Sequence, residues 1–337
     1  MKPSTYRNCL LLSFAIFLIE CNSGGNHDLA SVHRRPPQYA LMNGWPRLAS
    51  TFPFSQVSAV GIDTSQNVFM LQRTGREWLD SLPDSLISSN TIFLLDKKTG
   101  KVLNSWGANL FIMPHGLTVD SENNVWVTDV GLNQVFKFNH NGGLLLKLGV
   151  AKIAGNDSAH FSLPTDIAIA HDGSFYVSDG YGNSRIVKFS KEGKYLFEWG
   201  KKGTGHGEFN IPHSISLNSR GRVFVADREN NRIQEFDMNG NFIKEWKNNQ
   251  AKQLGSLCID KADNVFAVDD IYEKNSFGDD IIELDSGLNL ITRFGRSDSS
   301  VDTSALFHDI AVDREGSIYV ANILGKRVQK FKLVATR

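Results

Sequence analysis

The sequence carries no net charge: Lys and Arg together number 36, and so do Asp and Glu. With no positive excess and no basic run it lacks the electrostatic footprint of a nucleic-acid binder, and no such partner is expected. Cysteine is scarce, at three residues. Cys9 and Cys21 fall in or beside an N-terminal leader, which leaves only Cys258 in the body of the chain. One cysteine forms no internal disulfide, so stability has to come from packing and from any bound metal. No stretch repeats its apolar residues at the helical period, which removes the α/β classes. What the sequence does have is a 41% hydrophobic and 10% aromatic content, enough for a packed core and too much for a disordered chain.

The first 21 residues resemble an export signal. Lys2 and Arg7 precede the apolar run LLLSFAIFLI at residues 10–19, which is too short to span a bilayer and suits a signal-peptide core. Cys21 follows in LIEC, close to a bacterial lipoprotein box, although Glu20 stands where a small residue is usual. Lipidation at Cys21 and ordinary secretion are both open readings. The chain is expected in the periplasm or at the cell surface, touching membrane only through a lipid on Cys21. Residues 22–38 are polar with Gly and Pro, a linker. Residues 39–337 are expected to form one domain.

That domain repeats itself. Six copies of one phrase begin at Val57 (VSAVGIDTSQNVFMLQR), Pro114, Pro164, Pro212, Leu254 and Phe307 (FHDIAVDREGSIYVANI). Each has an alternating strand, a turn rich in Asn, Asp or Gly, and a second apolar strand, the signal of a hairpin. A third strand (NQVFKF, SRIVKF, NRIQEF, KRVQKF) and a fourth ending in Trp or Phe complete most copies. Six four-stranded units in series predict an all-β, six-bladed β-propeller. The sixth copy runs out after Phe331 without its outer strand, and an open edge invites aggregation. Residues 39–48 (YALMNGWPRL) are expected to supply that strand and close the ring. A closed ring needs no partner chain, so a monomer is expected.

Shared positions build a repeat's core, so its deviations are the site candidates. Just before the first strand the copies read Ser58, His115, Thr165, His213, Gly255 and His308. A lone histidine there would be a turn or packing residue. Histidine on every other blade instead brings three imidazoles to the axis from three sides, the ligand set of a zinc site with an open fourth position. At the end of the second strand, on the same rim, stand Arg73, Tyr181 and Arg228 among a series of aspartates. Each arginine could bind a carboxylate ligand or pair with a neighbouring Asp. A tyrosine beside cations is expected to have its pKa lowered, as a phenolate base requires. Asp309, with backbone carbonyls at the depth of Val60 and Leu117, forms an all-oxygen set suited to Ca²⁺, although Asp166 holds the same register without a histidine.

The strings MPHGLTVD, NVWVTDV, HFSLPTDIAIA, VSDGYGNSRIVKFS, FNIPHSISL, VADRENNRIQEF and FHDIAV closely resemble the peptidylglycine α-amidating lyase family, a specialised branch of the NHL-repeat propellers. The resemblance runs from Val57 to Phe331. It implies a lyase that splits the N–Cα bond of a peptidyl-α-hydroxyglycine into a peptide amide and glyoxylate, with a small peptide or hydroxyglycine-type molecule as substrate. By position it implies His115, His213 and His308 as zinc ligands and Tyr181, Arg73 and Arg228 as catalytic residues. It further implies Asp309 and the carbonyls of Val60 and Leu117 as ligands of a structural calcium. The family's two disulfides are missing, since Gly182, Phe224 and Glu235 stand at cysteine positions. Gln72 and Asn133 replace rim histidines, where they are expected to tune substrate preference. Two other readings stay open: a non-catalytic NHL propeller that binds a peptide or glycan, and a calcium-dependent lactonase, against which the histidine register counts.

Overall fold

In the computed structural model, which describes residues 36–78, 81–249, 253–269, 280–295 and 306–335, the strands assemble into six antiparallel sheets of four. The first strands are Val57–Ile62, Pro114–Val119, Asp166–Ile169, Pro212–Leu217, Leu254–Ile259 and Phe307–Val312. They neighbour one another around the axis, the last against the first. The turn after each first strand needs a residue in the left-handed region, filled by Gln66, Asn123, Gly173, Gly221, Asp263 and Gly316. That requirement is why Asn, Asp and Gly recur there.

The second strands, such as Val125–Asp129 and Val223–Asp227, are buried at every residue because a neighbouring blade covers each face. Their apolar residues fill the seams between blades. Six hydrophobic clusters occupy six seams, from that between blades 1 and 2 (Phe69, Phe111, Val127) to that between blades 6 and 1 (Val57, Met70, Tyr319). Among the described residues the only helix is a single 3-10 turn at Arg228–Asn230.

The ring closes as expected, with a shorter strand. Gln38–Leu41 pairs antiparallel with Arg327–Ala335, Leu41 opposite Phe331. The strand therefore starts at Gln38, one residue inside the linker read from the sequence. Tyr39 stacks on Phe294 at 4.5 Å and its hydroxyl donates to Glu283 of blade 5. Trp45 packs on Tyr319 at 5.1 Å in the last seam. Deleting residues 38–48 is expected to replace one cooperative melting transition by a broad one at lower temperature, measured by calorimetry; an unchanged profile would refute closure by this segment. The signal, Cys21 and residues 22–35 of the linker lie outside the described residues.

The positions where the resemblance implies cysteines are filled by other contacts. Phe224 and Glu235 sit directly opposite each other in neighbouring strands. At Gly182 a Cβ would come within 1.9 Å of Ser162 Oγ, so a backbone approach replaces the bridge.

Candidate metal centre and active site

The register carrying the alternate histidines is marked by a break in pairing. In five blades the ladder between first and second strands slips there: between Val57 and Ala59, Pro114 and Leu117, Pro212 and Ser214, Leu254 and Ser256, and Phe307 and Asp309. A bulge frees a residue from the in–out alternation and re-aims its side chain. In blades 2, 4 and 6 the freed residues include His115, His213 and His308, which turn to the axis. Their ring centroids lie 4.6–5.0 Å apart, and one ligand nitrogen from each falls within 4.8 Å of the others.

The odd blades supply the counterpart. His115 Nδ1 donates to the carbonyl of Thr165, His213 Nδ1 to that of Gly255 and His308 Nδ1 to that of Ser58, the same register one blade further on. A carbonyl only accepts, so each Nδ1 carries the proton and each Nε2 offers a lone pair. Burial is the main force holding all three imidazoles neutral. His115 and His213 sit well below the usual histidine range, and His308 is pushed down to about 3, with Arg73 and Arg228 adding repulsion. Buried neutral nitrogens converging on one point fit a divalent ion of the zinc type, which takes such donors at about 2.0–2.1 Å.

Tyr181 comes from the loop after Phe175–Asp179, and its hydroxyl reaches this point. It lies 2.8 Å from His213 Nε2 and 3.1 Å from His115 Nε2. Arg228 Nη1 is 3.5 Å from the same oxygen. Arg73 is fully buried: Nε donates to the Pro114 carbonyl, Nη1 to Gln56, and Nη2 has no hydrogen-bond partner among the described residues. Desolvation lowers its pKa to about 10, so it remains a cation at neutral pH. The alternative role, pairing with a rim aspartate, falls to other arginines. Arg185 takes Asp179 at 3.0 Å, Arg232 takes Asp227 at 2.7 Å, and Arg293 takes Asp269.

These observations agree with comparisons to known proteins. A family model described as a 6-bladed beta-propeller matches residues 152–333, more than half of the sequence, and an NHL repeat model matches residues 111–138. The chain belongs to the six-bladed β-propeller family. This propeller is 35% identical over 309 residues to peptidyl-glycine alpha-amidating monooxygenase B of Xenopus laevis, covering 85% of the chain and 35% of that protein. It is 34% identical over 331 residues to peptidyl-alpha-hydroxyglycine alpha-amidating lyase 1 of Drosophila melanogaster, covering 87% and 59%. The chain thus spans about a third of the length of the first relative and three-fifths of the second. The motif resemblance to the amidating lyases is borne out by these relatives. Among solved structures, virginiamycin B lyase from Staphylococcus aureus superposes with a TM-score of 0.54 at 15% identity, over 88% of this chain and all of that one, a likeness of fold.

Next to the histidines lies a second polar ring. Asp309 accepts hydrogen bonds from the Val60 N–H at 2.9 Å and from Ser256 at 2.6 Å. Asp166 accepts from Ser214 at 2.8 Å and from the Ile215 N–H. Burial raises both carboxyl pKa values, and the charge of Asp166 raises that of Asp309 further. Asp309, Asp166, Val60 and Leu117 all line a channel of about 910 Å³ on this side of the histidines. Asp166, set aside in the sequence reading as a residue at the same register, is therefore part of the acidic pair.

Gln72 and Asn133, the two residues at implied histidine positions, are tied into the scaffold. Asn133 is buried in a left-handed turn and accepts the Leu163 N–H at 2.7 Å. Gln72 is buried and donates to the Pro53 carbonyl and to Thr74. Both hold neighbouring backbone in place. The residue missed was Trp78, in the link after the second strand of blade 1. Its ring lies 5.2 Å from that of Tyr181 and 6.5 Å from that of His115, with the Arg73 guanidinium 5.3 Å over its face. The signal available was the length of that link, from Gln72 to Ile92, against Asp227 to Arg232 in blade 4.

Proposed function

We propose that this propeller is a zinc-dependent lyase that cleaves the N–Cα bond of a peptidyl-α-hydroxyglycine to a peptide amide and glyoxylate. The observation that carries the reading is the Tyr181 hydroxyl set between two neutral imidazoles of the triad and beside Arg228. The names of the relatives support it. His115, His213 and His308 would hold the zinc, whose charge would acidify the substrate hydroxyl.

The residues divide the remaining work. Arg73, a buried cation with an orphaned Nη2, takes the substrate carboxylate, since an unmade charged hydrogen bond in a dry site is costly. Tyr181 as phenolate takes the hydroxyl proton, and the two guanidinium charges nearby favour that form. As the C–O bond becomes the carbonyl of glyoxylate, the N–Cα bond breaks and its electron pair passes to the amide nitrogen. That nitrogen then takes a proton, which Tyr181 is placed to return.

The acidic ring is proposed to hold a second ion, calcium, with Asp309 and the carbonyls of Val60 and Leu117 as ligands; two neighbouring carboxylates that repel each other favour a bound cation. The chain is further proposed to act as an exported monomer. The purified protein is expected to release glyoxylate from α-hydroxyhippurate, to stop after chelation, and to recover with added zinc. Glyoxylate release that survives complete metal removal would overturn the zinc assignment, and none under any condition would overturn the lyase.

A further inference from the structure

The long link of blade 1 carries an aromatic surface that the chemistry above leaves unused. It is pinned on both sides of Trp78: Arg76 donates to the Ile112 carbonyl and to Ser85, and the Ile87 N–H donates to the Phe111 carbonyl. Lys326 of blade 6 pairs with Glu77 at 2.9 Å. Between these anchors the Trp78 side chain is 39% exposed, although its ring meets Tyr181, His115 and Arg73. A large indole that the described residues leave partly exposed beside a reactive group is a ready binding surface.

We propose that Trp78 is the platform of a subsite for an apolar, preferably aromatic, acyl group on the nitrogen of the hydroxyglycine. The inference rests on the lyase reading and adds a substrate class to it. The reacting carbon bears a carboxylate, a hydroxyl and the amide nitrogen. Arg73 takes the first and Tyr181 the second, and Trp78 touches both of those side chains. The remaining substituent leaves along the nitrogen, and the exposed part of the indole is the apolar surface beside that centre. Stacking against a second ring adds to the area that is covered, and it disfavours acyl groups that are small or charged.

The probes are hippurate and N-acetylglycine, which share the carboxylate and the amide, differ in the acyl group and lack the scissile hydroxyl. Calorimetry on the zinc-loaded wild type is expected to show tighter binding of hippurate. Trp78→Ala is expected to weaken hippurate about fivefold to tenfold and to leave N-acetylglycine unchanged, which also reports an intact fold. Trp78→Phe should keep most of the preference. A preference in the Ala variant equal to that of the wild type overturns the subsite, and so does an equal loss for both ligands, which would make Trp78 a prop for Arg73. Glyoxylate release from α-hydroxyhippurate is scored separately: its absence in the wild type removes the lyase reading, whereas the two binding curves judge the subsite on their own.

Discussion

Replacing Tyr181 with Phe is expected to lower kcat for glyoxylate release about 1,000-fold while binding of substrate changes by no more than about threefold, the pattern of a lost general base. The change removes one oxygen. The ring would still pack on Trp78 and against His115 and His213, with centroids at 5.2–5.4 Å, so the walls of the site persist. Zinc content should stay at wild-type level, because no ligand of the triad is touched. The discriminating measurement is that combination in one sample. A variant that keeps its zinc, binds hippurate and still turns over within tenfold of wild type would show that the proton leaves by another route.

The second large effect is expected from the triad. His213→Ala should take zinc from about one ion per chain to less than a tenth after dialysis, and glyoxylate release should vanish with it. His115→Ala and His308→Ala should match it, since each imidazole is built in the same way. His206→Ala should do nothing, because His206 stacks on Phe242 far along blade 4 and belongs to no triad. Stability has to be separated from ligation. Losing His213 also strips the Gly255 carbonyl of its donor, which costs about 1–3 kcal/mol by itself. A zinc-selective chelator in excess calcium makes the distinction: it should lower the Tm of the wild type and leave that of His213→Ala where it is. Equal chelator shifts in both proteins would mean that the ion resides elsewhere.

The architecture was open to reading because a repeat states its plan six times. Alternation, turn chemistry and spacing all agreed, and the missing last strand pointed to its donor. The histidines were legible for a related reason: a residue type present in every second copy stands out against the others. What the odd copies contribute was not. Ser58, Thr165 and Gly255 have no side chain in common, yet all three do one job through the peptide carbonyl, which every residue possesses. Main-chain function leaves no compositional trace. The bulge is hidden likewise, since it is a matter of register and not of residue type. The division of labour among arginines needed coordinates too, because Arg185 and Arg232 differ from Arg228 only in where the strand delivers them. Trp78 sits in a segment without a counterpart in the other copies, so comparison between copies passed over it.

The closing strand has a consequence for how the molecule is made. Gln38–Leu41 is synthesised before the other strands of the six blades, and its partner Arg327–Ala335 after the other strands of the ring. Until then the final seam, with Trp45 and Tyr319, has only one wall. The blades can therefore form in order, but the ring is not locked until Arg327–Ala335 has been made. The circle closes only when its earliest strand meets its latest.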